Sequence, residues 1–132
     1  MKNDEVVKDW LRRAKSNLEI AKAKKISQYV LYEDLCFEAQ QSAEKAIKAL
    51  LIHFNKEFPW THSIGDILDV VSESGIIVPE NIRKAEKLTR YAVHTRYPGT
   101  GTPVSEDKYK EAVKLAETVF KWVNKVVNGK KR

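Results

Sequence analysis

The sequence has few residues that break or cross-link a chain. Its 132 residues include one cysteine, five glycines and four prolines. Because Cys36 is the only cysteine, neither an intrachain disulfide nor a thiolate metal cluster can form, and its apolar surroundings predict a small core residue. A composition of 42% hydrophobic and 32% charged residues excludes a disordered chain and favours a helix-rich folded domain.

Long apolar runs and the motifs of several enzyme classes are also missing. No run approaches the roughly 18 apolar residues of a membrane span, and the polar, acidic start of the chain is unlike a signal peptide. We therefore expect no membrane association and a cytoplasmic location. The Glu-x-x-His pairs of di-iron bundles, the His-Glu-x-x-His zinc motif, the phosphate-binding loop and the Gly-x-Ser-x-Gly elbow are all absent. We expect no metal and no cofactor.

The net charge of +6 is unevenly distributed along the chain. Residues 1–66 carry 11 basic and 10 acidic side chains, whereas residues 67–132 carry 13 and 8. The second half therefore holds +5 of the charge. Such an excess suits a polyanionic partner such as RNA or a nucleotide phosphate, although many proteins without such a partner are equally basic.

Apolar residues recur at three- and four-residue steps along most of the chain, and no strand-like alternation occurs. We predict helices over about 3–25, 29–55, 64–74, 79–95 and 106–128. The second carries two nearly merged apolar stripes, so we expect it to be central and buried on more than one side. The pattern predicts a single domain, 1–132, with an all-α fold. Its architecture is an antiparallel up-and-down four-helix bundle with an additional short helix.

Local signals indicate where several helices begin and end. Asn3 or Asp4 is expected to cap the first helix, and Ser63 and Ser105 to cap the third and fifth. Pro79 suits the first position of the fourth helix, and Gly75 suits a left-handed end of the third.

A basic stripe marks the fourth predicted helix. On a 3.6-residue period Arg83, Lys87, Arg90 and His94 share one face, opposite a stripe of apolar residues. Arg96 and Tyr97 follow directly, before the stop at Pro98. The stripe is either a solvated helix face or a binding surface.

RNA cleavage without a metal gives one chemical reading of these residues. His94 has a side chain able to move a proton near neutral pH, and Arg90 and Arg96 supply permanent cations for phosphate oxygens. Tyr97 is able to stack on a base or donate to phosphate. A helix that stays regular to Arg96, however, places that residue away from the face of Arg90 and His94.

A second polar set lies on the second predicted helix. Glu38, Gln41 and Lys45 fall at i, i+3 and i+7 and therefore share a face. The set is either an exposed edge of mixed charge or part of the lining of the same groove as the basic stripe. His62, just before the Ser63 cap, is interpreted as structural rather than catalytic.

Three stretches together resemble the HEPN family, the domain named for its occurrence in higher eukaryotes and prokaryotes and for nucleotide binding. They are Trp10-Leu-x-x-Ala14-x-x-Asn17-Leu-x-x-Ala21, Cys36-Phe-Glu-Ala-Gln-Gln-Ser-Ala-Glu-Lys-Ala-Ile-Lys-Ala-Leu-Leu51 and Leu88-Thr-Arg-Tyr-x-x-x-x-Arg-Tyr-Pro98. The resemblance implies a helical bundle that forms homodimers. It also implies a nucleotidyltransferase partner, commonly in a toxin–antitoxin pair.

The resemblance also implies a metal-independent RNase motif, which in many active members is an Arg and a His separated by four to six residues. Here only three residues separate Arg90 from His94. Either the shortened motif still supports a metal-independent endoribonuclease, or this chain is a non-catalytic nucleotide-binding or scaffold subunit that regulates or completes the partner enzyme. In both cases the expected ligand is RNA or a nucleotide. The candidate residues are His94 and Arg90 for catalysis and Arg96, Tyr97, Arg83, Lys87, Glu38, Gln41 and Lys45 for binding.

Overall fold

The structure is a computed structural model that describes residues 2–92, 98 and 103–129. It contains α1 (Lys2–Lys22), α2 (Tyr32–His53), α3 (Ile64–Glu73), α4 (Glu80–Arg83), a 3₁₀ helix (Lys84–Ala92) and α5 (Glu106–Asn128). No strand occurs within these ranges. The prediction of an all-helical bundle is confirmed.

α2 is the central helix, as its two apolar stripes predicted. It packs against α1, α5, α3 and the 3₁₀ helix. Thirteen of its 22 residues are buried. Four alanines of α2 have no exposed surface, and their small side chains allow the neighbouring helices to approach the α2 backbone closely: Ala39, Ala43, Ala46 and Ala49.

The cap predictions fared differently at different helices. The Ser63 and Ser105 side chains accept hydrogen bonds from the amides of Asp66 and Lys108, as predicted. The N-cap predicted at Asn3 or Asp4 is wrong, because α1 already includes Lys2. Asn3 instead donates its side-chain amide to the carbonyl of Ile52 at 2.9 Å and thereby joins the start of α1 to the end of α2.

The fourth predicted helix is the main difference from the sequence interpretation. Pro79 is the N-cap of a four-residue α4 rather than its first residue, and the chain then continues as a nine-residue 3₁₀ helix. Its buried residues Ala85, Leu88 and Tyr91 recur at steps of three, which is the period of a 3₁₀ helix. The continuation predicted to about Thr95 lies outside the described residues.

Candidate functional site

The 3₁₀ helix arranges its cations differently from the predicted α-helix. Side chains three residues apart eclipse one another in a 3₁₀ helix and are about 6 Å apart along its axis. Lys84, Lys87 and Arg90 are exposed and three residues apart, so they form one basic row, about 120° around the helix from the buried row of Ala85, Leu88 and Tyr91. Lys84 is the member that the 3.6-residue period had excluded. The three-residue steps from Lys84 to Lys87 and from Lys87 to Arg90 were the available signal.

Arg90 lies at the edge of a groove between the basic row and α5. The groove has a volume of about 270 Å³, and its polar and aromatic lining includes Lys87, Tyr91, Lys108 and Glu111. Lys87 pairs with Glu111 at 3.6 Å, but both side chains are largely exposed, so water and salt weaken this attraction. Within the described residues Arg90 forms no ion pair, and its guanidinium lies 5.8 Å from the centre of the Tyr91 ring. No carboxylate among the described residues therefore occupies its planar donors, which suit an anion.

Lys108 adds a further cation to this groove, and sequence reasoning did not single it out. It lies in the first turn of α5, and its amide donates to the Ser105 hydroxyl. The residue is separated from Arg90 by 18 positions, so no spacing rule in the sequence connects the two.

Arg83 uses its donors inside the protein. Its guanidinium contacts Asp69 at 2.8 Å, the Gly65 carbonyl at 3.3 Å and the Ser72 hydroxyl at 3.2 Å. These contacts join α4 to α3, and the Arg83 side chain is only 28% exposed. Arg83 therefore differs from Arg90, although the two shared a face in the predicted α-helix.

Glu38, Gln41 and Lys45 also contact their own surroundings. Asn17 of α1 donates to Glu38 at 2.7 Å and accepts from Lys45 at 2.9 Å. Gln41 donates to the neighbouring Gln40 at 2.8 Å. Neither of two grooves that Arg90 lines among the described residues includes any of the three. Within the described residues, the structure thus brings Lys87 and Arg90 together but does not join them to this set.

The predicted residues His94, Arg96 and Tyr97 lie outside the described residues, so their roles stay predictions. Only their spacing from Arg90 in the sequence connects them to the groove.

His62 belongs to a polar cluster around a buried carboxylate. Glu44, which is 5% exposed, accepts hydrogen bonds from Lys48 at 2.7 Å and Gln40 at 2.7 Å, and His62 Nδ1 lies 3.1 Å from it. Burial raises the pKa of Glu44, but the hydrogen bonds from Lys48, Gln40 and His62 together outweigh burial and hold the pKa below its ordinary value. This arrangement agrees with a structural interpretation of His62.

The described ranges contain neither a clustered metal site nor a membrane span. No group of three or more His, Cys, Asp or Glu residues comes together there in a way that would hold a metal ion. No helix in those ranges has the length and apolar content needed to cross a membrane.

Comparison with known proteins provides an independent view of the chain. A family model for the HEPN domain matches residues 7–126. A crystal structure of TT1696 from Thermus thermophilus is 33% identical, with a TM-score of 0.78, and the match covers 90% of this chain and 96% of that one. The structure of ST0689, an archaeal HEPN homologue, is 31% identical with a TM-score of 0.73, covering 92% and 97% of the two chains.

A third crystal structure, of an HEPN domain protein from Thermotoga maritima, is 26% identical with a TM-score of 0.60 and covers 97% of this chain and 98% of that one. No curated protein matched the sequence.

Proposed function

This chain belongs to the HEPN family, and on that premise we propose that it binds the phosphates of RNA or a nucleotide through Lys84, Lys87 and Arg90. Arg90 carries this proposal. It is exposed at the end of a row of three cations and forms no ion pair among the described residues. A guanidinium in this state offers two parallel N–H groups to a phosphate, and Lys84 and Lys87 add attraction at longer range.

In the proposed reaction the chain cleaves RNA without a metal. His94 takes the proton of the 2′-hydroxyl or supplies one to the leaving oxygen, and Arg90 and Arg96 stabilise the charge that develops on the phosphate. Tyr97 holds a base or a phosphate oxygen. Three residues separate Arg90 from His94, which is fewer than in the usual motif. Cleavage therefore requires that the backbone between the two residues brings both side chains to the same phosphate.

The proposed working unit is a homodimer that acts with a nucleotidyltransferase partner, with a toxin role in the pair. The support for a partner on this chain is that the loops before α2, after α2 and after α3 carry large apolar side chains that are 83–96% exposed: Ile26, Tyr29, Trp60 and Ile77. Sedimentation of the purified chain, alone and mixed with a nucleotidyltransferase, tests both parts of this proposal.

A cleavage assay tests the catalytic part. The purified chain is incubated with a mixed RNA pool in EDTA, beside His94→Ala, Arg90→Ala and the control Lys125→Ala, which removes an exposed cation from the far end of α5. We expect cleavage by the parent and the control only. Cleavage that persists in both His94→Ala and Arg90→Ala contradicts the assigned chemistry.

The alternative is a non-catalytic nucleotide-binding or scaffold subunit, and the shortened Arg90–His94 spacing favours it. It predicts an intact RNA pool together with RNA binding that Arg90→Ala weakens. An intact pool with no binding at all removes both functions.

A further inference from the structure

A second basic cavity lies on the other flank of α5, away from Arg90. Its volume is about 370 Å³, which is within the usual range of small-ligand sites. The floor is aromatic: the rings of Tyr32 and Tyr109 stack with their centres 5.0 Å apart. Four lysines surround this floor, and none of them belongs to the basic row: Lys22, Lys24, Lys110 and Lys114.

The floor is fixed in place by the fold. Tyr109 is buried on α5, and its hydroxyl donates to the carbonyl of Ala21 near the end of α1. Tyr32, the first residue of α2, packs against the Tyr109 ring. Three helices therefore hold the two rings. Because the aromatic surface is already formed, ordering its side chains adds little to the free-energy cost of binding.

The charge of the cavity is only partly neutralised. Glu117 pairs with Lys22 at 3.1 Å, and Glu106 pairs with Lys110 at 3.7 Å. Both carboxylates of the lining are thereby matched with a lysine. Lys24 and Lys114 form no ion pair within the described residues. Lys25, the residue after Lys24, has its ammonium 4.3 Å from the centre of the Tyr32 ring.

We propose that this cavity binds a nucleotide, either free or as part of a single-stranded RNA, with the base on Tyr32 and the phosphates on Lys24, Lys25 and Lys114. A flat aromatic floor with a cationic rim is the combination that recognises a base and its phosphates. Lys25 covers the outer face of Tyr32, but an exposed cation–π contact is weaker than the stacking of a base on an aromatic ring. A base displaces the Lys25 ammonium, which then contacts the phosphate.

This site is separate from the proposed Arg90 face, and each of the two proposals is tested independently of the other. The two surfaces lie on opposite flanks of α5: one includes Lys108, Glu111 and Leu115, and the other includes Lys110 and Lys114. A strand bound at both would cross α5, whereas a free nucleotide would occupy either one alone.

Three substitutions separate the contributions of charge and ring. Lys24 has a φ of 63°, a left-handed conformation that glycine adopts without strain, so Lys24→Gly removes the charge and keeps the backbone. Lys114→Ala lies on an exposed helix surface. Tyr32→Leu removes the stacking ring, and Tyr32→Phe retains it. Each variant is first checked for an unchanged fold by thermal unfolding.

Binding of a labelled eight-nucleotide RNA is measured by fluorescence anisotropy over a series of salt concentrations, with unlabelled nucleoside triphosphate as competitor. The Lys24→Gly, Lys114→Ala double variant should lose about 1.4 units of the log–log salt slope, about 0.7 for each phosphate contact on a single strand. Tyr32→Leu should weaken the affinity for RNA by about tenfold, whereas Tyr32→Phe, which keeps the ring, should retain the affinity of the parent. If the triphosphate competes with the RNA, a free nucleotide is sufficient for binding. If the triphosphate does not compete, the site binds a nucleotide only as part of a strand.

The site is then located directly by photocrosslinking. RNA that contains 4-thiouridine is irradiated in the complex, and the attached peptide is identified by mass spectrometry. We expect the adduct on the Tyr32 peptide in both the parent and Arg90→Ala. Adducts found only elsewhere, with unchanged affinity in the lysine and Tyr32→Leu variants, would overturn the proposal. Loss of binding in Arg90→Ala with Tyr32→Leu unaffected would support the Arg90 face and reject this cavity.

Discussion

The guanidinium of Arg83 lies 2.8 Å from the carboxylate of Asp69 and joins α4 to α3. Seven residues further on, Arg90 is exposed and forms no ion pair within the described residues. The two arginines are equivalent in the sequence pattern but differ in what their donors contact. We infer that Arg83 fixes α4 against α3 and that Arg90 contacts the proposed RNA or nucleotide.

This difference predicts opposite behaviour for two substitutions. Arg83→Ala removes three hydrogen-bonding contacts, so we expect it to lower the free energy of unfolding by about 1–3 kcal/mol. Arg90→Ala should leave stability nearly unchanged and weaken RNA binding. Urea unfolding and RNA anisotropy of both variants measure the two effects. A control, Arg12→Ala, removes a surface pair with Asp9 and should change stability by less than about 1 kcal/mol.

The basic row predicts a graded salt dependence of RNA binding. Lys84→Ala and Lys87→Ala should each reduce the slope of log K against log salt by about 0.7 units on single-stranded RNA, because each removes one cation that helps to neutralise the phosphates. Lys125→Ala serves as the matched control with no change in slope. A parent slope near zero would show that the phosphates contribute little to binding.

The buried Glu44 predicts an acid-sensitive fold. Its folded-state pKa lies below its ordinary value of 4.5, so its contribution to stability is fully present above that pH and is lost as the pH falls through the lowered pKa. Chemical unfolding from pH 7 down to pH 3 should show this loss in the free energy of unfolding. In Glu44→Gln the free energy of unfolding should depend less on pH. Because Glu44→Gln leaves Lys48 buried without its partner charge, we also expect a cost of about 3 kcal/mol at pH 7.

A matched control for Glu44 is the exposed Glu19, which pairs with Lys15 at 3.2 Å on the surface of α1. Glu19→Gln should change stability by less than about 1 kcal/mol at pH 7. Equal effects of the two substitutions would contradict the importance assigned to burial.

Cys36 should be unreactive in the folded protein. Burial raises its pKa to about 12, and the nearby negative charge of Glu33 adds to the shift. Because the thiolate is the reactive form, a thiol reagent at pH 8 should modify the chain only after it unfolds in urea. Rapid modification of one thiol per chain under native conditions is the result that would refute this.

Gly75 ends α3 with a φ of 92°, where an added Cβ strains the backbone although the space around it is open. Gly75→Ala should therefore destabilise the fold by about 1 kcal/mol. Gly129 is the matched control, since an added Cβ also meets open space there and its φ is −65°. Gly129→Ala should be neutral in thermal unfolding, and equal losses in the two variants would rule out backbone strain as the cause.

Much of the fold was predictable because its signals are local. The Ser63 and Ser105 caps bind amides three residues away, and the end at Gly75 depends on its own φ. The central position of α2 followed from its apolar stripes, since a helix that is apolar on two sides must be covered on both. The 3₁₀ geometry was not predicted, because Ala85, Leu88 and Tyr91 also fit one broad stripe of an α-helix.

The candidate site was less predictable because its contacts join distant parts of the chain. The sequence alone determined the helical class, most helix boundaries and the basic character of the second half. Only the tertiary structure decided that Arg83 contacts Asp69, 14 residues away, and that Lys45 contacts Asn17, 28 residues away. It likewise stacked Tyr32 on Tyr109. A helix period states which side chains share a face, but the partner that satisfies each of them is set by how the helices pack.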